Sequence, residues 1–301
     1  MSFVTLTPNL ALDRTLELAG PLTPETLQRV GGVREVAGGK GVNVARVLKM
    51  LGAEVTVAGF LGGFNGQKFR HLLRQEGLTG IFGEVEGETR ECHILLDTKT
   101  HPTTHPTTHP TEVYEGGPIV SPDDWRALVA RLPVGQLVVS GSLPSGLSAK
   151  VFRTLLLELP QKPVVDTSGG ALRTALEAGA ALVKPNRQEL EGLVPVQGDG
   201  VAEAKLLYET YGVPILLSLG VRGAAHIADE TLVVPAPSVE VRNPVASGDC
   251  LLAAFLWARS EEWSLERSLQ LGVAAGAENA AEGGGARLTR AAVMTRLRAD
   301  A

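Results

Sequence analysis

The 301-residue sequence predicts an α/β protein built on a doubly wound, mostly parallel sheet flanked by helices. Short apolar runs, typical of buried strands, alternate along the chain with segments of helical periodicity. The predicted strands are 55–59, 137–140, 163–166, 181–184 and 215–218, with a further strand region around 239–242. The predicted helices between them are 123–132, 149–158, 171–178 and 201–211. Such sheets bind ligands beyond the carboxyl ends of their strands, where Lys184, Asn186, Glu189 and Ser218 fall.

Four other segments alternate polar and apolar residues, which indicates a sheet with one solvated face. These segments are about 12–18, 28–36, 88–97 and 111–117. We predict that they form a small separate sheet. The alternative is that they add strands to the edge of the main sheet.

A four-residue repeat, His-Pro-Thr-Thr, lies between the last two of these segments and occupies residues 101–111. Histidines four residues apart would share one face of a helix and could bind a metal. Prolines at the same interval prevent that helix. We therefore predict an extended, solvent-exposed loop, with a metal or partner site as the alternative.

Composition excludes several classes of protein. Apolar residues make up 44% of the chain and charged residues 20%, which is typical of globular proteins. The formal net charge is −5 and no run of Lys or Arg occurs, which argues against a nucleic-acid partner. Cys92 and Cys250 give neither a disulfide framework nor zinc-ligand spacing. No signal peptide or membrane-length apolar run is recognisable, so we expect a cytoplasmic protein without a membrane partner.

Small residues precede an aspartate and a long apolar run at residues 243–257. The run predicts a buried helix, and Ala246, Ser247 and Gly248 are predicted to form the loop that opens it. Such a loop leaves N–H groups free at the positive end of the helix dipole, where anions bind. Asp249 lies beside them and can accept a proton from a hydroxyl, as phosphoryl transfer to an alcohol requires. The alternative is an ordinary helix N-cap.

Three glycines flank Lys40 in a second segment, residues 37–46. Glycine allows close approach of the backbone to a ligand, and Lys40 supplies a mobile positive charge. Asn43, one turn later on a predicted helix, can hydrogen-bond sugar hydroxyls. The spacing differs from that of a Walker A motif. A tight turn with an exposed lysine is the alternative.

With these two segments, the chain resembles the ribokinase-like, or PfkB, carbohydrate kinases over nearly its whole length. Five motifs occur in the family's order, at residues 38–45, 61–66, 186–189, 218–223 and 246–249. The opening residues 5–14 and the segment 89–92 are similar to the branch that contains 1-phosphofructokinase and tagatose-6-phosphate kinase. One departure is Ala246, where the family has glycine. If this position requires a positive φ, alanine costs about 1 kcal/mol there, and otherwise it is harmless.

The resemblance implies one kinase domain over residues 1–301, in which the small sheet forms a lid over the sugar site and a homodimer interface. It implies ATP- and Mg²⁺-dependent phosphorylation of a hydroxyl on a ketohexose phosphate. Asp249 would accept the hydroxyl proton, and the N–H groups of Ala246, Ser247, Gly248 and Asp249 would stabilise the transferred phosphoryl group. Fructose 1-phosphate and tagatose 6-phosphate are both compatible with these motifs.

The remaining roles follow from the same resemblance. The implied substrate-binding residues are Asp13, Gly38, Gly39, Lys40, Asn43 and Arg90, with Lys40 and Arg90 on the phosphate that the substrate already carries. The implied nucleotide-binding residues are Lys184, Ser218, Gly220, Gly223 and, near the adenine, Asn279; a core position is the alternative for Asn279. Asn186 and Glu189 would order Mg²⁺ through its waters.

Two other functions remain as hypotheses. One is a ribokinase-type enzyme for an unphosphorylated sugar or a nucleoside, and Arg90 and the opening residues argue against it. The other is a non-catalytic protein that binds a sugar phosphate or nucleotide. The presence of both Asp249 and Glu189 argues against it, whereas Ala246 weakly favours it.

Overall fold

The computed structural model describes residues 1–97 and 111–299, which form two β-sheets and the helices around them. The strands are β1 (Ser2–Thr7), β2 (Ala11–Leu18), β3 (Val30–Gly38), β4 (Glu54–Leu61), β5 (Thr79–Glu84), β6 (Arg90–Asp97), β7 (Thr111–Tyr114), β8 (Gln136–Ser140), β9 (Val164–Asp166), β10 (Leu182–Val183), β11 (Ile215–Ser218), β12 (Ala224–Ile227) and β13 (Thr231–Val234). The helices are α1 (Lys40–Leu51), α2 (Gly63–Gln75), α3 (Pro122–Val129), α4 (Ala149–Leu157), α5 (Gly169–Glu177), α6 (Arg187–Glu191), α7 (Val201–Tyr211), α8 (Ser247–Ser260), α9 (Leu265–Glu282) and α10 (Arg290–Ala299).

The larger sheet has nine strands in the order β13-β12-β11-β10-β9-β8-β1-β4-β5. Neighbours from β11 to β5 are parallel, whereas β12 and β13 pair antiparallel at one edge. The prediction of a doubly wound, mostly parallel sheet is confirmed. All five apolar runs predicted as strands 55–59 to 215–218 lie in this sheet, as β4, β8, β9, β10 and β11.

The predicted strand region around 239–242 is wrong. Residues 239–242 form no strand, and at their end the N–H groups of Arg242 and Asn243 both donate to the carbonyl of Ala280 on α9. Pro235 and Pro237 precede this stretch, and a proline has no N–H to donate to a sheet.

Helices cover both faces of the larger sheet, which explains why its strands are apolar without alternation. Along β8, Leu137 and Val139 belong to the core beneath α3, α4 and α5, whereas Val138 faces the core formed with α1, α8 and α9. Helix α8 is buried from Asp249 to Ala258, as its continuous apolar run predicts.

The smaller sheet has four strands in the order β3-β2-β6-β7 and is called the lid below. The prediction of a separate sheet is confirmed, and its strands overlap the four predicted segments. In its register, Asp13 lies between Val36 and Cys92. Strand β3 ends one residue before α1 begins, so the lid leads directly into the helix that carries Lys40 and Asn43.

The His-Pro-Thr-Thr repeat, up to residue 110, lies outside the described residues. Within 1–97 and 111–299, the helices are all too short or too polar to cross a membrane.

Candidate active site

Helix α8 begins at Ser247, so Ser247 and Gly248, predicted to belong to its opening loop, lie in its first turn, and only Ala246 precedes it. Ala246 is its N-cap, with φ 68° and ψ 3°, so the position where the family has glycine is left-handed and strained for alanine. Ser247 N donates to the carbonyl of Pro244. The N–H groups of Gly248 and Asp249 have no acceptor among the described residues. These two groups point out of the positive end of a 14-residue helix, which makes an anion site.

Asp249 is buried beside this anion site, with 5% of its surface exposed. Its Oδ2 accepts a hydrogen bond of 2.8 Å from Nδ2 of Asn43 on α1. Burial and the nearby Asp166 carboxylate raise the pKa of Asp249 to about 6, against the opposing effect of Lys40, Lys184 and Asn43. A carboxyl group with this pKa is ionised at neutral pH and still basic enough to accept a proton.

Two lysines and a carboxylate form a cluster next to Asp249. Nζ of Lys40 lies 3.0 Å from Oδ1 of Asp166, and Nζ of Lys184 lies 3.3 Å from the same oxygen. Burial opposes ionisation of Asp166, but Lys184 and Lys40 outweigh it and hold the pKa of its carboxyl below the usual range. Burial would lower the pKa of Lys40, yet Asp166, Glu189 and Asp249 raise it, so Lys40 remains charged.

Sequence analysis missed Asp166, although its place at the carboxyl end of β9 is where a parallel sheet puts ligand groups. The carboxyl group is fully buried, and its Oδ2 has no hydrogen-bond partner in the described part of the chain. An acceptor left unpaired in such a position is available to a ligand.

Lys40 and Arg90 were predicted to hold the same substrate phosphate, but the structure places them in different surroundings. Lys40 contacts Asp166 and Glu189 and lies near Asp249. Arg90 belongs to the lid, where its Nη2 donates to the carbonyl of Asn9 at 3.0 Å. The guanidinium carbon of Arg90 lies 5.9 Å from the ring centre of Tyr114.

Asp13 of β2 lies near Arg90 of β6. Burial raises the pKa of Asp13 to about 6, while Arg46 and Arg90 lower it. The Asp13 carboxylate fills the space beside Gly38, because a Cβ atom there would lie 2.2 Å from its Cγ. Gly39 has φ 118° and approaches Thr7 closely, so it too requires glycine.

Asn186 and Glu189, predicted to order Mg²⁺ through its waters, form a capping box at the start of α6. Asn186 Oδ1 accepts from Glu189 N at 2.8 Å, and Glu189 Oε2 accepts from Asn186 N at 2.9 Å. The other carboxylate oxygen, Oε1, lies 3.3 Å from Lys40 Nζ. The part of the chain that the structure describes holds no cluster of three metal-binding side chains. The unpaired Oδ2 of Asp166 and the Glu189 carboxylate fit Mg²⁺ nevertheless, because Mg²⁺ keeps several waters and takes most other ligands from phosphates.

A cavity of about 720 Å³ opens beside the anion site. The predicted residues Ser218, Gly220 and Gly223 line it, together with Gly248 of the anion site. The cavity is otherwise mainly apolar, with walls formed by Pro237, Val239, Val241, Val273 and Ala277. Sequence analysis missed these walls because the segment around 239–242 was assigned to a strand.

Asn279 does not contact this cavity. Its side chain is buried, and its Nδ2 donates to the carbonyl of Val245 at 2.8 Å and to Oγ of Ser247 at 2.9 Å. Its Oδ1 accepts from Ala286 N at 2.9 Å. Both polar atoms of the amide are therefore occupied by protein groups. Asn279 thus occupies a core position and holds the loop that opens α8, and a place near the adenine stays a prediction.

Comparison with known proteins agrees with this geometry. The model of the pfkB family carbohydrate kinases matches residues 9–291. A 1-phosphofructokinase of Haloferax volcanii is 34% identical over 90% of this chain and 88% of its own length, and that of Escherichia coli K12 is 35% identical over 80% and 79%. Phosphofructokinase-2 of Escherichia coli, solved in complex with fructose-6-phosphate, superposes with a TM-score of 0.87 at 27% identity and covers 99% of this chain and 98% of its own. From the family match, these identities and the shared fold, it follows that the chain belongs to the pfkB family of carbohydrate kinases.

Proposed function

We propose that this kinase transfers the terminal phosphoryl group of ATP to a hydroxyl of a ketohexose phosphate, and that fructose 1-phosphate is its preferred substrate. The observation that carries the proposal is the position of Asp249, a buried carboxylate at the mouth of an anion site flanked by two lysines. The names of the curated relatives, which are 1-phosphofructokinases at 32–35% identity, support fructose 1-phosphate as the substrate.

Proton transfer is the role we assign to Asp249. The carboxylate accepts the proton of the attacking hydroxyl, and the hydrogen bond from Asn43 fixes which oxygen faces α1. The N–H groups of Gly248 and Asp249 and the ammonium groups of Lys40 and Lys184 stabilise negative charge on the phosphoryl group in transit.

Lys40 thus serves the transferred phosphoryl group, and Arg90 and Asp13 serve the sugar phosphate. Asp13 accepts hydrogen bonds from sugar hydroxyls, and Arg90 gives the lid side a fixed positive charge for the phosphate. An unphosphorylated sugar would leave this charge unused.

The cavity of about 720 Å³ is proposed to hold ATP. Its apolar walls fit a purine ring, and because Gly248 also lines the cavity, the phosphates of a bound nucleotide can reach the anion site. Asp166 and Glu189 would hold Mg²⁺ through water, and this ion would neutralise phosphate charge.

The domain organisation, assembly and cellular setting are proposed as the sequence analysis predicts them. We infer one kinase domain, a homodimer formed through the lid and a cytoplasmic location. Val33, Val113 and Tyr114 of the lid are all more than half exposed, which supports a partner on this sheet. The two buried free thiols, Cys92 and Cys250, fit a reducing compartment.

A coupled assay of ADP release tests the function. The substrates to compare are fructose 1-phosphate, tagatose 6-phosphate, fructose 6-phosphate and ribose, each with ATP and Mg²⁺. We expect the highest kcat/KM with fructose 1-phosphate and little turnover of ribose. A preference for ribose would favour the ribokinase-type alternative. Binding without turnover of any of them would favour the non-catalytic one.

A further inference from the structure

Arg46 is a buried cation close to the site that the proposed mechanism does not use. It lies on α1, and 8% of its side chain is exposed. Its Nε lies 2.5 Å and its Nη2 3.0 Å from the two carboxylate oxygens of Glu76, which follows α2. Nη2 also donates to the carbonyl of Ala37. The guanidinium group is therefore held rigidly by a bidentate ion pair and a backbone contact.

The remaining nitrogen of Arg46 points at the active site. Its Nη1 donates to Oδ1 of Asn43 at 2.8 Å, and Nδ2 of Asn43 donates to Oδ2 of Asp249 at 2.8 Å. A guanidinium group has only donors, so it must face the oxygen of the Asn43 amide. The opposite orientation would put amide hydrogens against the guanidinium and the amide oxygen against the Asp249 carboxylate.

We propose that Arg46, held in place by Glu76, is a positioning residue that fixes the orientation of the Asn43 amide and thereby the position of the Asp249 carboxylate. This inference rests on the proposed function, in which Asp249 accepts the proton. It adds two residues, on α1 and after α2, that touch neither the sugar nor the nucleotide site.

The effect of replacing Arg46 on the titration of Asp249 depends on the other charged groups near these residues. Arg46 is near Asp13 of β2, and Glu76 also faces Arg287, at 3.8 Å, which in turn is near Arg34. The charged groups around Asp249 itself are Asp166, Lys40 and Lys184. Arg46 is not among the charged groups that shift the pKa of Asp249, so its effect on that carboxyl group is expected to pass through Asn43.

The direction of that change follows from the hydrogen bond. Donation by Asn43 stabilises the ionised form of Asp249. When Arg46 is replaced by Met, the amide is free to turn away, and the proton is held more tightly. We expect kcat to fall roughly 10-fold, the effect of one lost charge-assisted hydrogen bond. We also expect the acidic limb of the pH dependence of kcat to move to higher pH than in the wild type.

A double-mutant cycle tests whether the effect passes through Asn43. The variants are Arg46→Met, Asn43→Ala, their combination, and Arg46→Lys, which keeps the charge without the planar fork. In the Asn43→Ala background, Arg46→Met is expected to change kcat and the acidic midpoint by less than about twofold. Arg46→Lys is expected to fall between the wild type and Arg46→Met. Additive losses in the double variant would overturn the proposal.

Arg296→Met is the matched control. Arg296 forms an ion pair of the same kind, 2.5 Å from Glu278, between α10 and α9. It is expected to lower the melting temperature without moving the acidic midpoint. If Arg46→Met behaves in the same way, Arg46 has only a structural role and the proposal fails. If Arg46→Met does not fold, the double variant Arg46→Met, Glu76→Gln removes both charges of the ion pair. It is expected to show the same fall in kcat and the same shift of the acidic midpoint to higher pH.

A measurement without substrate separates this proposal from the proposed function. The ¹⁵N side-chain amide signal of Asn43 in the free protein should titrate with Asp249 in the wild type and lose that titration in Arg46→Met. If the wild type phosphorylates no sugar phosphate, the proposed function fails and this titration still judges the role of Arg46. If the wild type is active and the signal titrates equally in Arg46→Met, the positioning role alone is wrong.

Discussion

Lys184 lies directly against Gly248, since a Cβ atom at that glycine would come within 3.2 Å of the lysine Nζ. The missing side chain lets an ammonium group reach the first turn of α8, so that a full charge and the helix dipole act on the same anion. The ammonium group of Lys184 and the N–H groups at the start of α8 would together bind a phosphoryl group more strongly than either would alone.

Gly248→Ala is therefore expected to lower activity without harming the fold. The methyl group must displace Lys184, whose side chain is buried against Asp166, so kcat should fall several-fold. Stability should change by no more than about 1 kcal/mol, because alanine is the better helix former. Gly170→Ala in α5, where the new Cβ would meet only Ala149 at 3.5 Å, is the control and should leave kcat unchanged. Steady-state kinetics and thermal denaturation measure both effects.

Asp249→Asn should abolish most turnover. Asparagine keeps the shape and can still accept the hydrogen bond from Asn43, but it cannot take a proton. We expect kcat to fall at least ~10²-fold with ATP binding nearly unchanged, as measured by calorimetry. Asp123→Asn, on the exposed start of α3, should have no such effect. Retention of most of the kcat would contradict the assignment of Asp249 as the base.

The same variant should reveal the cost of ionising Asp249 in the folded state. The pKa of Asp249 is about 6 in the folded protein, whereas an aspartate in an unfolded chain has its ordinary value of 3.8. A raised pKa contributes stability below pH 4 that is lost as pH rises through about 6. The free energy of unfolding of Asp249→Asn, relative to the wild type, should increase over this interval by on the order of 1–3 kcal/mol. Urea titrations at pH 4, 5, 6 and 7 measure it, and a flat difference would contradict the raised pKa.

Ala246→Gly should stabilise the protein. Ala246 has φ 68°, a left-handed conformation that costs alanine about 1–2 kcal/mol. Glycine removes this strain, but it also makes the unfolded chain more flexible, which offsets part of the gain in stability. We expect a net gain of up to about 1 kcal/mol and a kcat within a few-fold of the wild type. In contrast, Ala281→Gly, at a right-handed position of α9, should lower the free energy of unfolding by about 1 kcal/mol. A loss in both variants would show that Ala246 is unstrained in solution.

Arg90→Ala and Lys40→Ala should affect different kinetic constants. Arg90→Ala removes the lid charge and should raise KM for the sugar phosphate about 10-fold or more, with KM for ATP nearly unchanged. Lys40→Ala removes a cation next to Asp166 and Glu189 and should mainly lower kcat. Equal effects of both variants on KM for the sugar phosphate would restore the pairing predicted from sequence.

Local patterns in the sequence account for most of the sheet and for the two ends of the site. The middle of a strand such as β8 has three consecutive apolar residues, Leu137 to Val139, because both faces are covered, and this run can be recognised without a structure. The loop before α8 could be predicted because small residues, an aspartate and a buried helix are adjacent in the chain. The segment around 239–242 has apolar residues too, but the prolines before it and its contact with α9 decide against a strand.

Contacts between distant residues explain what the sequence could not show. Asp166 has no surrounding motif, and its importance depends on two lysines brought to it by α1 and by the end of β10. Arg46 forms an ion pair with Glu76, 30 residues later in the sequence. This ion pair extends the series of hydrogen bonds that runs from Arg46 through Asn43 to Asp249. The hydrogen bonds of the Asn279 amide to the loop at 245–247 join residues more than 30 positions apart, so the sequence could not reveal them.

Strand β3 of the lid and helix α1 are separated by Gly39 alone. No loop is present between these two elements to absorb a movement, so a displacement of β3 must be passed on to Lys40, and one turn later to Asn43. Lys40 and Asn43 are therefore coupled to the lid, and a shift of β3 would also change the distances from Lys40 to Asp166 and from Asn43 to Asp249.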